Sequence, residues 1–554
     1  MTSSARQQER NCVTAQAVVG ALLAAGVQRV VVCPGSRSTP LVAALQHHRQ
    51  HNGAFVVVDV VVDERSAGFF AVGAARVSGA PVAVVTTSGT AVANLLPAMT
   101  EAHQEGLVLV ALTANRPPQS LGTDDNQVVP QRGMFATVTT WSRGFDGACD
   151  DGDLAELQMS AEATVWNMAA AWSATPGPVH LDVSFEKPLE PCSSVRLPSS
   201  AAPNKDAHVP LPSVLETLGA ELARARRPVL AVGRTHTCVK PLIDAWPGVV
   251  VTDVFAGVQT AHNVVSLPNA LVASGALDDA DVVVQVGGSF VSKDVQLWKR
   301  RSSAAWWRLE GHARVGSVVR DEHVVRMDPA AWTLPTLPAV DETWLRTVRE
   351  AAATLVRSTP DPHAEMAWAQ AVVDALPSST TLLLGNSSPV RDVDDVCRRD
   401  HLPERVIGNR GASGIDGLLA TAAGAAASGG PVVALVGDLS ALHDAGSLFL
   451  LRQLGAAVCV VVVNNAEGGI FRRLPIAAHD DLLLPFFLTP HTTSLVHVAG
   501  GFGIEALQVD DVDDLRRRLV DWRSQPRPLL LEVVTDGVQA QTARESWRRQ
   551  QGMS

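Results

Sequence analysis

Residues 431–471 read PVVALVGDLSALHDAGSLFLLRQLGAAVCVVVVNNAEGGIF, and they show most clearly how strand and helix patterns alternate in this chain. Two Val-rich runs enclose an Ala- and Leu-rich segment with helical spacing. Apolar runs of strand length on both sides of a helix are typical of parallel strands that are covered on both faces. The first run ends at Gly437 and Asp438, and the second ends at Asn464 and Asn465. The stretch therefore predicts a strand–helix–strand unit with polar residues at the carboxyl ends of both strands.

The same rhythm of a Val-rich run, a polar loop and a helical pattern continues through the rest of the chain. It predicts an α/β fold of three doubly wound domains with mainly parallel sheets. We place the domains at residues 1–191, 212–358 and 362–554, with a Pro-, Ser- and Ala-rich linker at 191–213. The predicted strands lie within VQRVVVCPGSRS, AFVVVDVVVDERS, PVAVVTTSGT, LVLVALTANRPP and VHLDVSF in the first domain, RPVLAVGRTH, GVVVTDVF, DVVVQVGGSF and AWWRLEG in the second, and TLLLGNSS, RVIGNRG, PVVALVGDLS, AVCVVVVNN and RPLLLEVV in the third.

Composition and charge narrow the function classes. Hydrophobic residues make up 46% of the 554-residue chain and charged residues 18%, as in ordinary globular proteins. The formal net charge of −11 argues against a nucleic-acid partner. The seven Cys form no CxxC pair, so we expect a reduced, cytoplasmic chain without a disulfide framework or a zinc site. The polar N-terminus is unlike a secretory signal, and no apolar run approaches the ~20 residues that span a bilayer.

The polar residues after the two strands of the quoted stretch fit a metal bound to phosphate. Mg²⁺ takes oxygen ligands and often only a few of them from the protein. The carboxylate of Asp438 and the amide oxygen of Asn465 would converge at the edge of one sheet. The alternative is that the Gly-Asp and Asn-Asn pairs are ordinary turn residues at strand ends.

A second acidic site follows a predicted strand in the first domain. The segment VVVDVVVDERSAGFFAVGAARVSG places Asp63 and Glu64 between a strand and a Gly- and Ala-rich helix. Acids at this point commonly cap the helix and stabilise its dipole, and that explanation suffices for these two residues taken alone.

Several Arg residues lie in Gly-, Ser-, Asn- and Pro-rich loops that follow apolar runs. The planar guanidinium binds carboxylates, often through two parallel hydrogen bonds. A single Arg in such a loop is usually a solvated surface residue, but a set at one sheet edge indicates a site for carboxylates. The set comprises Arg37, Arg116, Arg391 and Arg410.

These motifs together resemble the thiamine-diphosphate-dependent enzymes, and among them the menaquinone-pathway synthases. The similar strings are PGSRSTPL, DERSAGFFA, TSGTAVANLLPA, ANRPP, GNSSPVRDVD, NRGASGIDG and GDLSALHD. The resemblance covers the first and third domains almost throughout and is weak in the middle domain. It implies that Mg²⁺ (or Mn²⁺) is bound by Asp438, Asn465 and the backbone carbonyl of Glu467. Glu467 stands where these relatives usually have Gly, and a Cβ there strains the loop if φ is positive.

The resemblance also assigns roles around the cofactor and the substrates. Glu64 would contact the aminopyrimidine ring of thiamine diphosphate and help to form the ylide. The implied catalytic residues are Glu64, Arg37, Arg116, Gln127, Arg391 and Arg410. The implied substrate contacts are Ser36, Arg37, Arg116, Gln127, Lys293, Asn386, Ser387, Arg391, Arg410 and Ile470. The implied cofactor contacts are Glu64, Ile415, Gly437, Asp438, Leu439, Ser440, Asn465 and Phe471; for the Ile and Phe residues the alternative is plain core packing.

In this family the ylide adds to the keto carbon of 2-oxoglutarate, CO₂ leaves, and the succinyl carbanion equivalent adds 1,4 to isochorismate, on the route to menaquinone (or phylloquinone). Both substrates are dicarboxylates, which gives the Arg set a purpose. The resemblance further implies a homodimer or a dimer of dimers. Two alternatives stay open: an acetolactate-synthase-like or decarboxylase enzyme that acts on pyruvate, and a non-catalytic relative with a binding or regulatory role.

Overall fold

The fold is described from a computed structural model that covers residues 3–51, 56–192, 212–235, 238–257, 261–311, 322–355 and 360–553. The chain divides into two compact units. The first contains the described residues up to 192 together with 410–413 and 423–429, and the second contains the remaining described residues. The predicted linker lies almost entirely outside the described residues.

The first sheet belongs to the N-terminal part of the chain. Its six strands are all parallel and follow the spatial order β2-β1-β3-β4-β6-β5. The elements are α1 (Ser3–Ala24), β1 (Arg29–Val32), α2 (Thr39–His51), β2 (Val57–Val60), α3 (Glu64–Ser78), β3 (Val82–Thr86), α4 (Thr90–Ala93), α5 (Leu96–Glu105), β4 (Leu109–Asn115), β5 (Trp141–Phe145), α6 (Leu154–Ala174) and β6 (Val179–Ser184).

The second sheet has five parallel strands in the order β11-β10-β9-β7-β8. Its core is rich in Trp, because Trp246, Trp298 and Trp307 are each at most 1% exposed. The elements are α7 (Pro212–Leu222), β7 (Pro228–Val232), α8 (Lys240–Ala245), β8 (Val249–Thr252), α9 (Pro268–Ala273), β9 (Val282–Val286), α10 (Lys293–Arg301), β10 (Ala305–Glu310), β11 (Glu322–Arg326) and α11 (Glu342–Thr354).

The third sheet has six parallel strands in the order β13-β12-β14-β15-β17-β16. The elements are α12 (Glu365–Ala375), β12 (Thr381–Leu384), α13 (Ser388–Val396), β13 (Val406–Ile407), α14 (Leu418–Gly429), β14 (Val432–Gly437), α15 (Asp438–His443), α16 (Ser447–Leu454), β15 (Val458–Asn464), α17 (Asp480–Phe486), α18 (Leu495–Gly501), β16 (Glu505–Val509), α19 (Val512–Ser524), β17 (Leu529–Val534) and α20 (Gly537–Gln550). The prediction of three parallel-sheet α/β layers is confirmed. The exact domain bounds remain a prediction.

The first and third sheets share one topology. Numbered by chain order within each sheet, both run 2-1-3-4-6-5. In such a sheet the strand order reverses between strands 1 and 3, and the loops at their carboxyl ends form the usual ligand-binding crevice. Loops after strands 1 to 4 of these two sheets carry most of the predicted site residues. The quoted stretch forms β14 and β15 as predicted, although two short helices, α15 and α16, replace the single predicted one.

The cysteine pairing and the helix lengths can be compared with what the sequence predicts. The structure pairs Cys12 with Cys192 as a disulfide, which differs from the expectation of a fully reduced chain. The pair joins α1 to the end of the first sheet's domain, two segments far apart in sequence, so no local Cys spacing could indicate it. Among the described residues, no helix is both long and apolar enough to cross a bilayer.

Candidate active site

The candidate residues divide between the two units. The first unit contains Ser36, Arg37, Glu64, Arg116, Gln127 and Arg410. The second contains Lys293, Asn386, Ser387, Arg391, Ile415, Gly437, Asp438, Leu439, Ser440, Asn465, Glu467, Ile470 and Phe471. The two sets are described separately below.

The two acids at the start of α3 do different things. Asp63 is the N-cap, and its carboxylate accepts hydrogen bonds from the backbone N–H of Arg65 at 3.0 Å and from the Ser66 hydroxyl at 2.7 Å. Glu64 makes no capping bond, and its carboxylate accepts a long hydrogen bond from Asn94 Nδ2 at 3.5 Å. The helix is therefore capped without Glu64, whose half-buried carboxyl group follows strand β2.

Arg37 and Arg116 place two positive charges near each other at the carboxyl end of the first sheet. Arg37 is 5% exposed and donates from Nη1 to the carbonyl of Phe185 at 2.7 Å. Burial, followed by the nearby charge of Arg116, lowers the pKa of Arg37 to about 10. Arg116 donates from Nη2 to Gln127 Oε1 at 3.5 Å, and the Nε atoms of both Arg residues are buried without a hydrogen-bond partner. This pair is arranged for an anion.

A buried carboxylate behind this pair holds the surrounding loops. Asp182 on β6 is fully buried and accepts hydrogen bonds from Asn115 Nδ2 at 2.6 Å and Gln131 Nε2 at 2.5 Å. Asn115 Oδ1 in turn accepts the backbone N–H of Arg116 at 2.8 Å. Gln131 Oε1 accepts the backbone N–H of Gly89 at 3.3 Å. Asp182 therefore links the loops after β3 and β4 to strand β6.

Glu101 on α5 fixes the loop that carries Arg410. Its carboxylate is 1% exposed and accepts the backbone N–H groups of Gly411 at 3.0 Å and Ala412 at 2.7 Å. Arg76 lies 3.1 Å from the same carboxylate and 3.6 Å from that of Glu105, so one guanidinium is shared between two buried acids. A carboxylate that accepts two successive amides holds a loop much as a helix cap does. The two residues that follow Arg410 are thus anchored to α5.

In the second unit, Asp438 lies at the end of β14 and is 3% exposed. Its Oδ1 accepts the backbone N–H of Leu439 at 2.7 Å, and its Oδ2 lies 3.2 Å from Nε2 of His491. Because Nδ1 of His491 accepts the backbone N–H of Thr493, a neutral ring carries its proton on Nε2 and donates it to Asp438. Burial is the main cause of the raised pKa of Asp438, so a neighbouring cation would stabilise its charged form.

Hydrogen bonds within the loop after β15 and to other segments hold this loop in place. Asn465 donates from Nδ2 to Glu365 at 2.7 Å, and its Oδ1 accepts the backbone N–H of Glu467 at 3.2 Å. The Glu467 side chain forms two hydrogen bonds to Arg472, at 2.5 and 2.7 Å. The backbone N–H of His491 donates to the carbonyl of Ala466 at 3.0 Å. His491 therefore connects Asp438 to the Asn465 loop and brings the two strand ends together.

Backbone strain is concentrated in these loops. Within the described parts of the chain, five non-glycine residues have φ in the left-handed region. They are Gln127 (57°), Ser387 (75°), Ser413 (60°), Ala466 (58°) and Thr489 (43°). The first four are candidate residues or lie within three positions of one, and Thr489 lies two positions before His491, which contacts Asp438. Such conformations cost energy and persist where the surrounding contacts impose them, commonly at functional sites. In the loop after β15, the residue with positive φ is Ala466 and not Glu467, so the Cβ of Glu467 is not the source of strain.

The loop after β12 carries three further candidates. Asn386 is 3% exposed and donates from Nδ2 to the carbonyls of Asn409 at 2.8 Å and Gly414 at 2.6 Å. Arg391 donates from Nη1 to the carbonyl of Ser387 at 2.5 Å, and burial lowers the pKa of its guanidinium. The loop is therefore a compact structure in which Asn386 ties the segments after β12 and β13 together.

The remaining candidates are less closely connected. Phe471 packs edge-on against Phe487 with ring centroids 5.2 Å apart, and Ile470 beside it is half-buried. Ile415 is 38% exposed, so it is not a core residue of the second unit. Lys293 begins α10 and is exposed, and in the described part of the chain no hydrogen bond or ion pair links it to another candidate. Its assignment stays a prediction.

The donor chemistry at the ends of β14 and β15 fits Mg²⁺. A carboxylate, a side-chain amide and a backbone carbonyl are all oxygen donors, and three of them leave positions for phosphate and water oxygens. Among the described residues, no group of three or more His, Cys, Asp or Glu side chains is arranged to hold a metal ion.

Sequence reasoning did not identify the residues that support the candidates. Asp182, Glu101, Glu365 and His491 each contact a predicted site residue or its loop, yet each lies in another segment of the chain. Asp182 stands inside a strand, and the two Glu residues have the appearance of ordinary helix acids. The quoted motifs contain no signal for any of them.

Three family models match the chain: the N-terminal TPP-binding domain of thiamine pyrophosphate enzymes over residues 13–137, the middle domain over 220–384 and the C-terminal TPP-binding domain over 393–533. Thiamine pyrophosphate (TPP) is another name for thiamine diphosphate.

Full-length relatives share one name, 2-succinyl-5-enolpyruvyl-6-hydroxy-3-cyclohexene-1-carboxylate synthase. The protein of Halobacterium salinarum is 33% identical over 97% of this chain and 97% of its own length. That of Roseiflexus sp. is 31% identical, with 95% of this chain and 96% of the relative covered. That of Rubrobacter xylanophilus is 34% identical, with 94% of each covered.

Proposed function

The chain belongs to the 2-succinyl-5-enolpyruvyl-6-hydroxy-3-cyclohexene-1-carboxylate (SEPHCHC) synthase family of thiamine-diphosphate enzymes, and we propose that it joins 2-oxoglutarate to isochorismate. The reaction releases CO₂ from 2-oxoglutarate and attaches the remaining succinyl group to isochorismate, which keeps its enolpyruvyl group. The product is SEPHCHC, on the route to menaquinone (or phylloquinone). A cytoplasmic location stays part of this prediction.

The observation that carries the choice of substrates is the pair Arg37 and Arg116. Two neighbouring guanidinium groups, one of them 5% exposed, repel each other and retain buried Nε donors without partners. Carboxylate groups satisfy both the charge and the donors, since they accept two parallel hydrogen bonds from one guanidinium. Substrates with two carboxylates each suit this arrangement better than pyruvate does, because pyruvate has only one.

The other substrate contacts follow the family motif. Ser36 and Gln127 lie in the loops of Arg37 and Arg116. Arg410 directly precedes the two residues whose backbone N–H groups donate to Glu101. From the second unit we assign Lys293, Asn386, Ser387, Arg391 and Ile470 to the same role. The arginines would bind and orient carboxylates and, with Gln127, stay beside the reacting carbon during both half-reactions.

When bound, thiamine diphosphate supplies a carbon nucleophile and an electron sink for decarboxylation. The role of Glu64 is to hold a proton at the aminopyrimidine ring, which a carboxyl group at a helix start can do when another residue caps that helix. Ile415 and Phe471 would contact the cofactor, as would Gly437, Leu439 and Ser440 around Asp438. Asp438, Asn465 and the carbonyl of Glu467 would hold Mg²⁺ (or Mn²⁺) against the diphosphate. The family further supports a homodimer or a dimer of dimers.

Donor selectivity tests the proposal. With thiamine diphosphate, Mg²⁺ and isochorismate present, CO₂ release from 2-oxoglutarate should exceed that from pyruvate by roughly 10² or more, because a site built for a second carboxylate is left with unpaired groups by a donor that lacks it. Changing Arg116 to Ala should raise KM for a dicarboxylate by roughly 30-fold or more, the scale of a lost buried ion pair.

A matched control is Arg143→Ala, since Arg143 is an exposed arginine on β5 of the same sheet. This variant should retain wild-type KM values. If pyruvate proves the better donor, the acetolactate-type alternative replaces the proposed function.

A further inference from the structure

Glu365 is a buried acid outside every motif that the sequence singled out. It is the first residue of α12 and is 5% exposed. Its Oε1 accepts the Nδ2 hydrogen bond of Asn465 at 2.7 Å, and its Oε2 accepts a hydrogen bond from Arg473 Nη2 at 3.2 Å. An acid in the first turn of a helix interacts favourably with the helix dipole even when its carboxylate is exposed to water. Burial of this carboxylate therefore needs another reason, since it costs energy unless specific partners compensate for it.

The bond from Asn465 fixes the orientation of an amide that has two unlike ends. With Nδ2 donated to Glu365, Oδ1 points into the loop, where it accepts the backbone N–H of Glu467 at 3.2 Å. In the flipped amide an oxygen would face the carboxylate of Glu365 and an NH₂ would face a backbone N–H. Both contacts would be repulsive. Glu365 thus selects the amide orientation in which the Asn465 oxygen faces the backbone N–H of Glu467.

Glu365 also holds the far end of the same loop. Arg473 closes the 3-10 turn Gly469–Arg473, which contains Ile470 and Phe471. Arg473 reaches Asp392 on α13 at 3.3 Å as well, and Arg544 on α20 contacts the same Asp392. Glu365 is therefore part of a buried network of acids and arginines. Its carboxylate accepts hydrogen bonds from Asn465 and Arg473, the first and last residues of the loop 465–473.

We propose that Glu365 is a positioning residue that orients Asn465 for the divalent cation and holds the loop 465–473 in its binding conformation. The inference rests on the metal-assisted cofactor binding of the proposed function and adds a residue to it. Partners of this kind, one step behind a metal ligand, typically change metal affinity by about 10- to 100-fold when they are removed.

Binding of Mn²⁺ in the presence of saturating thiamine diphosphate tests this directly, with free Mn²⁺ followed by electron paramagnetic resonance. We expect Glu365→Gln, which keeps the side-chain volume, to weaken Mn²⁺ binding by about tenfold or more. Activity at saturating metal should change much less. The matched control is Glu342→Gln, in the first turn of α11, where the acid is exposed. It should bind Mn²⁺ as the wild type does, because it tests loss of a helix-dipole acid alone.

A double-mutant cycle separates positioning from a purely structural role. In an Asn465→Ala background, Glu365→Gln should have almost no further effect on Mn²⁺ affinity, because the oriented amide is already gone. Wild-type Mn²⁺ affinity in folded Glu365→Gln would overturn the inference, and so would additive effects in the cycle. If the wild type itself binds no Mn²⁺ with thiamine diphosphate, the metal part of the proposed function fails first, and this inference fails with it.

Discussion

At the residue scale, the two adjacent acids at the start of α3 differ in their contacts. Asp63 accepts the capping bonds from Arg65 and Ser66, while Glu64 is left out of the cap. A helix that is already capped gains little from a second adjacent acid. Because Glu64 takes no part in the cap, its carboxyl group is available for the contact with the cofactor that we propose.

Glu64→Gln should leave cofactor binding intact and slow proton exchange at the thiazolium C2 of bound thiamine diphosphate by ~10²–10⁴, the usual range for a lost acid–base group. Exchange into D₂O followed by NMR after acid quench measures this rate. Asp63→Ala is the matched control. It should cost about 1 kcal/mol of stability through the lost cap and leave exchange nearly unchanged. An exchange rate in Glu64→Gln within a few-fold of wild type would mean that the wrong acid has been named.

A second residue-scale prediction concerns acid stability. His180 is fully buried between Thr113, whose hydroxyl lies 2.8 Å from Nε2, and the ring of Phe135. Burial lowers its pKa from the ordinary 6.5 to about 4. Between these two pH values, the histidine binds more protons in the unfolded chain than in the folded one. The contribution of neutral His180 to the free energy of unfolding is therefore fully present above pH 6.5 and is lost as the pH falls towards 4.

Thermal unfolding between pH 7 and 4 checks this sign. The melting temperature of His180→Gln should fall less steeply with acid than that of the wild type, whatever its value at pH 7. His363→Gln, at an exposed position, should keep the wild-type slope. Parallel slopes for His180→Gln and the wild type would show that another group controls acid unfolding.

At this scale, the sequence could predict only those site residues that lie close to a strand along the chain. Asp438 and Asn465 each follow a strand directly, and Glu64 comes four positions after one, so a strand prediction also places them at the carboxyl edge of a sheet. Glu365 and His491 contact these strand ends from segments that are distant along the chain. Their roles arise from tertiary packing, and a single sequence contains no pattern that links them to the site.

At the element scale, the strands that were not predicted share one property. Each sheet has one such strand: β5, β11 and β16, and all three lie at a sheet edge. Their burial is interrupted, and their sequences WSRGF, EHVVR and EALQV are rich in polar residues. These three edge strands carry polar residues that prevent further pairing, so they lack the continuous apolar run of the predicted strands, which include the opposite edges β2, β8 and β13. The central strands were correctly predicted for the converse reason.

The close packing of α14 against α3 gives an element-scale prediction. A Cβ on Gly424 would come within 2 Å of the Phe70 carbonyl oxygen, which is backbone and has little room to move. Gly424→Ala should therefore push α14 away from α3 and lower stability by about 1–3 kcal/mol or more, as overpacking does. Chemical denaturation measures the loss.

Gly219 provides the control, because it also lies inside a helix but has no atom near the position of a Cβ. Gly219→Ala should be neutral or stabilise the protein by about 0.4–1 kcal/mol, since Ala loses less conformational entropy on folding. Equal effects at the two glycines would contradict the packing described for α14.

At the scale of the whole molecule, the candidate residues lie in two units of one chain. Glu64 belongs to the first, and Asp438 and Asn465 belong to the second. The homodimer that we propose would form each site from the first unit of one subunit and the second unit of its partner. Inactive Glu64→Gln subunits that exchange with inactive Asp438→Ala subunits would then form mixed dimers with one intact site. With random pairing, about a quarter of wild-type activity should return.

Subunit exchange must be demonstrated separately, for example with two affinity tags on the mixed dimer. If exchange occurs and no activity returns, each site is formed within one chain, because every site then carries one substitution. The control mixture of Glu64→Gln with itself should remain inactive under the same conditions.

The most direct test of the central claim is the product itself. The protein is incubated with thiamine diphosphate, Mg²⁺, 2-oxoglutarate and isochorismate, and the mixture is analysed by mass spectrometry. The proposed function predicts a product whose mass equals the sum of both substrates less CO₂, formed only when cofactor and metal are both present. Consumption of 2-oxoglutarate without this adduct, or an adduct formed from pyruvate in preference, would contradict it.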